Sequence, residues 1–237
     1  MPVLVIANTK GGVGRTTLAV ELAVGLEFRR GGQVVLADLC QQQAVRHWWQ
    51  DRSAPTPQLL EESSADGLRR WLTGDAMSGG AWLVVDTPSH YPDVTAAAIA
   101  LADFVLIPVR DCGMELPGAI DTAKECARLN KRFAFVLTRV DTSSETLLWV
   151  LQLMKHGPIL EAYVRHLQEF CRLDRAGLSV FDLGGGKAAR DDMLWVVECL
   201  LDEFPAEKRF ALKAESDRDI RTYRRWAQRS SHMFCEQ

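Results

Sequence analysis

The sequence predicts an α/β fold, a doubly wound, mostly parallel sheet with helices on both faces. Short, unbroken apolar runs alternate along the chain with longer segments whose apolar residues recur at helical spacing. Apolar runs of this kind are typical of parallel strands that helices cover on both faces. The chain has 237 residues, of which 47% are hydrophobic, so it can bury a full core and is more typical of one α/β domain than of two.

The first unit of this alternation is a strand, a glycine-rich loop and a helix. An apolar run from Val3 to Ala7 leads into the loop Asn8 to Thr17, and an amphipathic helix from Leu18 to Phe28 follows. Three glycines let backbone N–H groups close around an anion, and the next helix directs its positive N-terminus at the same place. The loop nearly meets G-x-x-x-x-G-K-S/T, with arginine in the lysine position. We therefore expect a polyphosphate site, and a simple glycine turn is the alternative.

Lys10 makes the loop more specific. The pattern K-G-G-x-G-K/R-T-T, which starts at Lys10, resembles the deviant Walker A loop of the ParA/MinD family of ATPases. In that family the early "signature" lysine reaches across a nucleotide-sandwich dimer to the partner's phosphates. The resemblance therefore implies ATP and Mg²⁺ as cofactors and a homodimer that forms on ATP. It implies that the nucleotide is bound by Lys10, Gly11, Gly12, Val13, Gly14, Arg15, Thr16 and Thr17.

The second predicted strand, Val34 to Ala37, delivers Asp38 to its carboxyl end, the edge at which such sheets bind ligands. The segment that begins with Asp38 resembles D-x-D-P-Q-x-S-A-x-x-W, found in the family's short plasmid-partition and cargo-positioning members. Cys40 stands where the second aspartate is expected, and Gln41 replaces the proline. In the family that aspartate lies in switch I and orients the attacking water.

Two substitutions, arginine at position 15 and cysteine at position 40, predict weak catalysis. A thiol with a reference pKa of about 8.5 is mostly neutral at pH 7 and replaces a carboxylate poorly. The planar fork of Arg15 keeps the positive charge but is wider than an ammonium. We expect a protein that binds ATP and hydrolyses it slowly or not at all, with Lys10, Arg15 and Asp38 as catalytic candidates. Asp38 or Asp111 is a candidate replacement for the missing carboxylate.

A third predicted strand, which follows a polar surface connection, ends at Asp86, one of the two predicted metal residues. Residues 51 to 80 are rich in Ser, Gly, Pro and charge, which is typical of a variable surface connection with one helical patch at 68–72. The strand from Trp82 to Val85 then ends in Asp86-Thr87-Pro88, which resembles Walker B running into switch II. A carboxylate at this strand end can hold Mg²⁺ through water, so Thr16 and Asp86 are the predicted metal residues.

The remaining segments continue the alternation as far as Phe204. Helices are expected at 94–102, 114–130, 147–154, 167–176 and 191–204, and strands at 104–109, 133–139 and 159–164. The I-P-V that ends strand 104–109, the L-T-R that ends strand 133–139 and the S-V-F-acidic segment at 179–182 resemble the same family. The resemblance spans about residues 3 to 204 and implies one ParA-like nucleotide-binding domain over residues 1–205.

Beyond Pro205 the chain leaves the family's usual end. Basic residues outnumber acidic ones over residues 206–237, and we expect a basic C-terminal tail that folds as a helix. A solvated helix face is one interpretation, and a patch for DNA phosphates or an acidic partner is the other.

Composition limits the class of protein further. The net charge of −3 and the pI of about 6.0 argue against a wholly basic nucleic-acid binder. The six cysteines form no C-x-x-C pair and show no cysteine/histidine ligand spacing, so we expect neither a disulfide framework nor a zinc site. No apolar run approaches the ~18 residues of a membrane span, and no secretion signal precedes the first strand. We therefore expect a cytoplasmic protein, and the family resemblance implies that it associates with the nucleoid.

The resemblance implies a ParA-type protein that dimerises on ATP and positions or segregates a plasmid, a chromosome or a protein assembly over nucleoid DNA. Nonspecific DNA and a small ParB-like or adaptor protein are its implied partners. The alternative is a degenerate, hydrolysis-deficient scaffold or regulator of a partner protein, which Arg15 and Cys40 favour. A metabolic enzyme with a bridging iron–sulfur cluster would need cysteines near switch II, and residues 86 to 91 contain none.

Overall fold

The computed structural model describes residues 1–30, 33–74, 81–90, 92–110, 115–141, 145–174, 176–183 and 187–204. Within these residues the strands are β1 (Val3–Ile6), β2 (Val34–Asp38), β3 (Gln58–Leu59), β4 (Trp82–Asp86), β5 (Phe104–Arg110), β6 (Phe133–Val140) and β7 (Ile159–Arg165). The helices are α1 (Arg15–Arg30), α2 (Ala44–Gln50), α3 (Ala65–Thr73), α4 (Pro92–Leu101), α5 (Leu116–Arg128), α6 (Glu145–Leu153), α7 (Gln168–Asp174) and α8 (Lys187–Glu203).

The seven strands of the described chain form one sheet in the order β3-β2-β4-β1-β5-β6-β7, and every neighbouring pair is parallel. Strand β1 lies at the centre, with Ile6 aligned to Asp86 of β4 on one side and to Leu106 of β5 on the other. Because the chain winds outward from β1 in both directions, the carboxyl end of β1 is a topological switch point. The predicted doubly wound parallel sheet is confirmed.

Helices cover both faces of the sheet. On one face α1 and α8 pack together through wholly buried residues such as Leu22 and Val197, with Trp48 of α2 beside them. On the other face α3 to α6 bury residues such as Ile99 and Leu153. Strands β1, β2 and β4 are buried at every position, which explains why they appear in the sequence as unbroken apolar runs.

The predicted strands and helices outside the surface connection are confirmed, with ends that differ by a few residues. The largest difference is at α8, which begins at Lys187 and not at 191. Inside the connection the sequence does not predict β3, whose Gln58 and Leu59 pair with Val35 and Leu36 of β2. Two prolines, at positions 55 and 57, precede this edge strand, and proline in so short a run argues against a strand.

Several expectations concern segments outside the described residues. The basic tail, residues 206–237, lies there, as does Asp111. Across the part of the chain that is described, no helix combines the length and the apolar character that crossing a bilayer requires.

Candidate nucleotide-binding site

The glycine-rich loop is held over the switch point by hydrogen bonds to residues of β4, β5 and β6. The buried Asn8 donates from Nδ2 to the carbonyl oxygen of Pro108 in β5 (2.8 Å). The Thr138 hydroxyl, at the end of β6, donates to the Val13 carbonyl oxygen (2.8 Å). The Thr16 hydroxyl donates to Asp86 Oδ2 at the end of β4 (2.7 Å). The loop is therefore fixed at both ends and in the middle.

The backbone of the loop is shaped for an anion. Gly12 and Gly14 have φ angles of +79° and +90°, in the left-handed region that favours glycine. A Cβ at either position would meet nothing within 4 Å, so the space above the loop is open. Helix α1 begins at Arg15, and the N–H of Leu18 donates to the Gly14 carbonyl (2.9 Å). The unpaired N–H groups of this first turn therefore face the loop.

Arg15 folds back onto the loop. Its Nη1 donates to the carbonyl oxygens of Asn8 and Lys10, the second at 2.6 Å. Burial lowers the pKa of Arg15, and the nearby Asp86 carboxylate opposes that shift. Its Nε is buried and has no hydrogen-bond partner among the described residues. An orphaned cationic donor beside an open glycine loop fits a phosphate acceptor.

Lys10 lies at the surface of the loop, as a residue that reaches another subunit would. Its side chain is exposed, while its N–H donates to Asn8 Oδ1 (2.8 Å). The preceding Thr9 donates from its hydroxyl to the Gly118 carbonyl (3.2 Å), which ties this part of the loop to α5. The predicted role of Lys10 across a dimer stays a prediction.

Asp86 is the most deeply buried acid of the site. It is 0% exposed, and burial raises its pKa to about 7, although the hydrogen bond from Thr16 opposes the shift. Its second oxygen, Oδ1, has no hydrogen-bond partner among the described residues. A buried carboxylate with an orphaned oxygen fits a neighbouring cation, so the residues present fit hydrated Mg²⁺.

Both carboxylate oxygens of Asp38 accept hydrogen bonds from backbone N–H groups. Its Oδ1 accepts from the N–H of Cys40 (2.9 Å), and its Oδ2 accepts from the N–H groups of Val45 (3.1 Å) and Arg46 (3.3 Å). The last two belong to the first turn of α2, so the carboxylate caps that helix. The catalytic role predicted for Asp38 stays a prediction.

Cys40 lies against Asp86, with 3.6 Å between Sγ and Oδ2. Burial raises the pKa of Cys40, and the negative charges of Asp86 and Asp38 raise it further. The thiol is consequently neutral in this environment and provides no charged group to orient a water molecule.

A cavity of about 150 Å³ opens beside the loop. Its walls are formed by loop and α1 residues, by the ends of β6 and β7 and by α7 and α8, and they include Gly14, Thr17, Arg139, His166, Phe170 and Met193. The volume is below the roughly 300–1,000 Å³ of pockets that enclose a whole drug-sized ligand, so it suits one part of a ligand such as a base. Of these wall residues, Arg139 belongs to the L-T-R motif that the sequence analysis identifies, but no sequence motif indicates His166 or Phe170.

Comparison with known proteins gives a consistent picture. Residues 4–180 match the model of the CobQ/CobB/MinD/ParA nucleotide binding domain. The chain is similar to "Maintenance of carboxysome distribution protein A" of Halothiobacillus neapolitanus, with 30% identity over 202 residues that cover 80% of this chain and 92% of the relative. The protein of the same name from Gloeobacter kilaueensis is 31% identical over 192 residues, covering 78% and 87%.

The fold is also similar to that of a solved structure, the septum site-determining protein MinD from Pyrococcus horikoshii complexed with Mg-ADP. The TM-score is 0.66 at 13% identity, and the match covers 84% of this chain and 95% of that one. At this identity the likeness supports the fold.

Proposed function

Because the chain belongs to the CobQ/CobB/MinD/ParA family of nucleotide-binding domains, we propose that it is a ParA-type protein that dimerises on ATP and positions or segregates a cargo over nucleoid DNA. The observation that carries this proposal is the open glycine loop, with an exposed Lys10 and the orphaned Arg15 Nε, beside a base-sized cavity. The names of the relatives make a protein assembly the first cargo to test. A plasmid or a chromosome is the other class.

The proposed binding mode follows from the donors around the loop. Backbone N–H groups from Gly11 to Thr16 surround the phosphates, and the Arg15 Nε donates to one of their oxygens. The Thr16 hydroxyl and Asp86 hold hydrated Mg²⁺, which neutralises the charge on the phosphates when bound. The base enters the cavity between Thr17 and the ends of β6 and β7.

The same geometry supports slow intrinsic hydrolysis. Cys40 carries no charge to orient water, and the Asp38 carboxylate is occupied by the backbone of α2. A long-lived ATP state suits a positioning protein, since a small ParB-like or adaptor partner then determines when the state ends. The partner would supply, or reorganise, the group that Cys40 lacks.

Calorimetry and sedimentation test this function. We expect ATP with Mg²⁺ to release heat and to convert monomers to dimers, and we expect Lys10→Ala to keep nucleotide binding while losing most of the dimer. Lys124→Ala is the matched control, because Lys124 is an exposed lysine that pairs with Asp121 on its own helix. Absence of binding heat, or equal self-association without nucleotide, would contradict the proposal.

A second candidate function is a hydrolysis-deficient scaffold or regulator, in which nucleotide stabilises the protein but never turns over. The observation that favours it is again the neutral thiol at position 40. The two candidates differ in the cell. A scaffold should keep its function when Lys10 is replaced and should co-purify with one stable partner, whereas a positioning ATPase should lose cargo placement.

A further inference from the structure

We propose that Asp38, Cys40 and Asp86 form a binding site for a thiophilic divalent cation of the zinc class in the nucleotide-free protein. This inference goes beyond the proposed nucleotide function and does not depend on it.

The sheet register creates the cluster. Asp38 and Asp86 end two neighbouring parallel strands and are aligned with each other, and Cys40 follows two residues after Asp38. One potential ligand atom from each residue lies within 4.8 Å of the other two. Asp86 is fully buried, Asp38 is 2% exposed and Cys40 is partly buried, so the cluster is inside the protein and is not a solvated acidic surface.

The distance between sulfur and oxygen matches a shared metal ion. A tetrahedral zinc ion, with bonds of about 2.3 Å to sulfur and about 2.1 Å to oxygen, places those two atoms about 3.6 Å apart. The Sγ of Cys40 and the Oδ2 of Asp86 are 3.6 Å apart in the protein. The thiol donates a hydrogen bond to this oxygen, and an ion that replaces the thiol proton would find the two atoms at the spacing it needs.

A second observation points to a cation at the same place. Asp86 Oδ1 is buried and has no hydrogen-bond partner among the described residues, and an orphaned carboxylate oxygen in the interior calls for a donor or a metal ion. Asp38 is oriented by the N–H groups of Cys40, Val45 and Arg46. Its Oδ1 accepts a single hydrogen bond and still has a lone pair for a metal, and the backbone hydrogen bonds hold this ligand in place.

The sulfur determines which cation the cluster prefers. Mg²⁺ requires near-octahedral oxygen ligands and keeps several waters, whereas thiolate ligands select zinc and similar ions. The thiol proton leaves to solvent as the bond between sulfur and metal forms. Since Asp86 also belongs to the proposed Mg²⁺ site, a zinc-class ion and magnesium nucleotide should exclude each other.

Cobalt is the probe for this site, because a thiolate bound to Co²⁺ gives a charge-transfer absorption band. Nucleotide-free, full-length protein should show the band and the strong visible absorption of tetrahedral cobalt, saturating at one ion per chain. Added Zn²⁺ should displace the cobalt and remove both the charge-transfer band and the visible absorption. Cys40→Ser should remove the band although five of the six cysteines remain, and Cys171→Ser, a change at an exposed cysteine, should preserve it. Asp86→Asn should weaken cobalt binding at least about tenfold.

Two results would overturn the inference: no charge-transfer band in the wild-type protein, or an unchanged band in Cys40→Ser. If Cys40→Ser does not fold, Cys40→Ala takes its place, and a charge-transfer band that survives in that variant also overturns the inference. Normal ATP binding heat together with a missing cobalt band would remove this site and leave the proposed function intact.

Discussion

At the position where the Walker loop has a lysine ammonium, Arg15 directs one guanidinium nitrogen at the loop itself. Both hydrogens of Nη1 are used, for the carbonyl groups of Asn8 and Lys10, so this nitrogen stabilises the loop before any ligand arrives. The Nε remains for a phosphate. A lysine ammonium has a shorter reach and lacks the planar guanidinium with its several N–H donors. Lysine at position 15 would therefore lose the hydrogen bonds to the loop carbonyl groups and would approach the phosphates more closely.

The first prediction concerns turnover. The double change Arg15→Lys and Cys40→Asp should raise the rate of ATP hydrolysis, because it restores a compact cation and a carboxylate that can orient water. Repairing a water-orienting group is expected to gain about 10²-fold. Phosphate release under saturating MgATP measures the effect. A rate that stays at the wild-type value would mean that position 40 does not face the attacking water.

The second prediction concerns pH. Glu21 of α1 is 3% exposed and accepts hydrogen bonds from the Ser179 hydroxyl (2.6 Å) and the Val180 N–H (3.1 Å). Burial raises its pKa from 4.5 to about 7, with those hydrogen bonds opposing the shift. The folded protein therefore keeps a proton that the unfolded chain releases, so its contribution to stability is full below pH 4.5 and is lost as pH rises through 7.

Glu21→Gln should remove this contribution to the pH dependence, since an amide oxygen accepts the same two hydrogen bonds and never ionises. Between pH 5 and pH 8 the free energy of unfolding of the wild type should fall relative to the variant by up to roughly 3 kcal/mol. Urea unfolding at the two pH values measures it. Glu198→Gln, at an exposed ion pair with Arg29, should leave the wild-type slope in place, and parallel slopes for Glu21→Gln and wild type would contradict the prediction.

At the scale of single elements, the first turn of α5 supports the segment that carries Lys10. A Cβ at Gly118 would lie 2.9 Å from Thr9 Oγ1, 3.0 Å from Asn8 Oδ1 and 3.1 Å from the Lys10 Cβ. Only a residue without a side chain lets α5 approach the loop this closely. The position of Lys10 therefore depends on a helix more than 100 residues away in the chain.

The third prediction follows from this contact. Gly118→Ala should push the loop segment away from α5, and overpacking of this kind costs about 1–3 kcal/mol. If Lys10 completes a dimer, the affinity of MgATP-dependent self-association should fall about tenfold, as measured by sedimentation. Gly74→Ala is the control, because a Cβ there meets only ordinary contacts at 3.6 Å. Unchanged self-association in Gly118→Ala would show that the loop absorbs the methyl group.

At the scale of the whole molecule, the parallel sheet gathers chemistry from distant parts of the chain at one edge. The loop follows the carboxyl end of β1, and Asp38 and Asp86 stand at the carboxyl ends of β2 and β4. Residues near the ends of β5 and β6 hold Asn8 and Val13 of the loop. Dimerisation on ATP would use the same edge, since Lys10 is exposed there.

The fourth prediction concerns DNA. Binding to nonspecific duplex DNA should require MgATP and should weaken at least about tenfold between 50 and 200 mM salt, because phosphate contacts release counterions. Fluorescence anisotropy measures it. Lys10→Ala should lose the MgATP-dependent binding, and DNA binding that does not depend on nucleotide would contradict the proposal. Replacing Arg221, Arg224 and Arg225 by Gln tests the basic tail: a shallower salt dependence supports a phosphate patch, and an unchanged one supports a solvated face.

The sequence by itself determined the features whose geometry is local. The glycine loop is one contiguous segment, so its spacing predicts an anion site without knowledge of the rest of the chain. The buried strands are visible because a parallel strand that helices cover on both sides is apolar at every position, as in β1, β2 and β4. The apolar runs of β2 and β4 stop directly before Asp38 and Asp86, which indicated both as site residues.

Only the tertiary structure decided which distant groups meet. The sequence spacing of the cysteines predicts no metal site, yet the register of β2 against β4 brings Cys40 to Asp86 across 46 residues. The burial of Glu21 also arises from tertiary packing, because α1 packs on the segment that contains Ser179. The cavity likewise takes its walls from β6, β7, α7 and α8. Such contacts depend on strand register and helix packing, which are set by the sum of many weak interactions along the whole chain and not by any short motif.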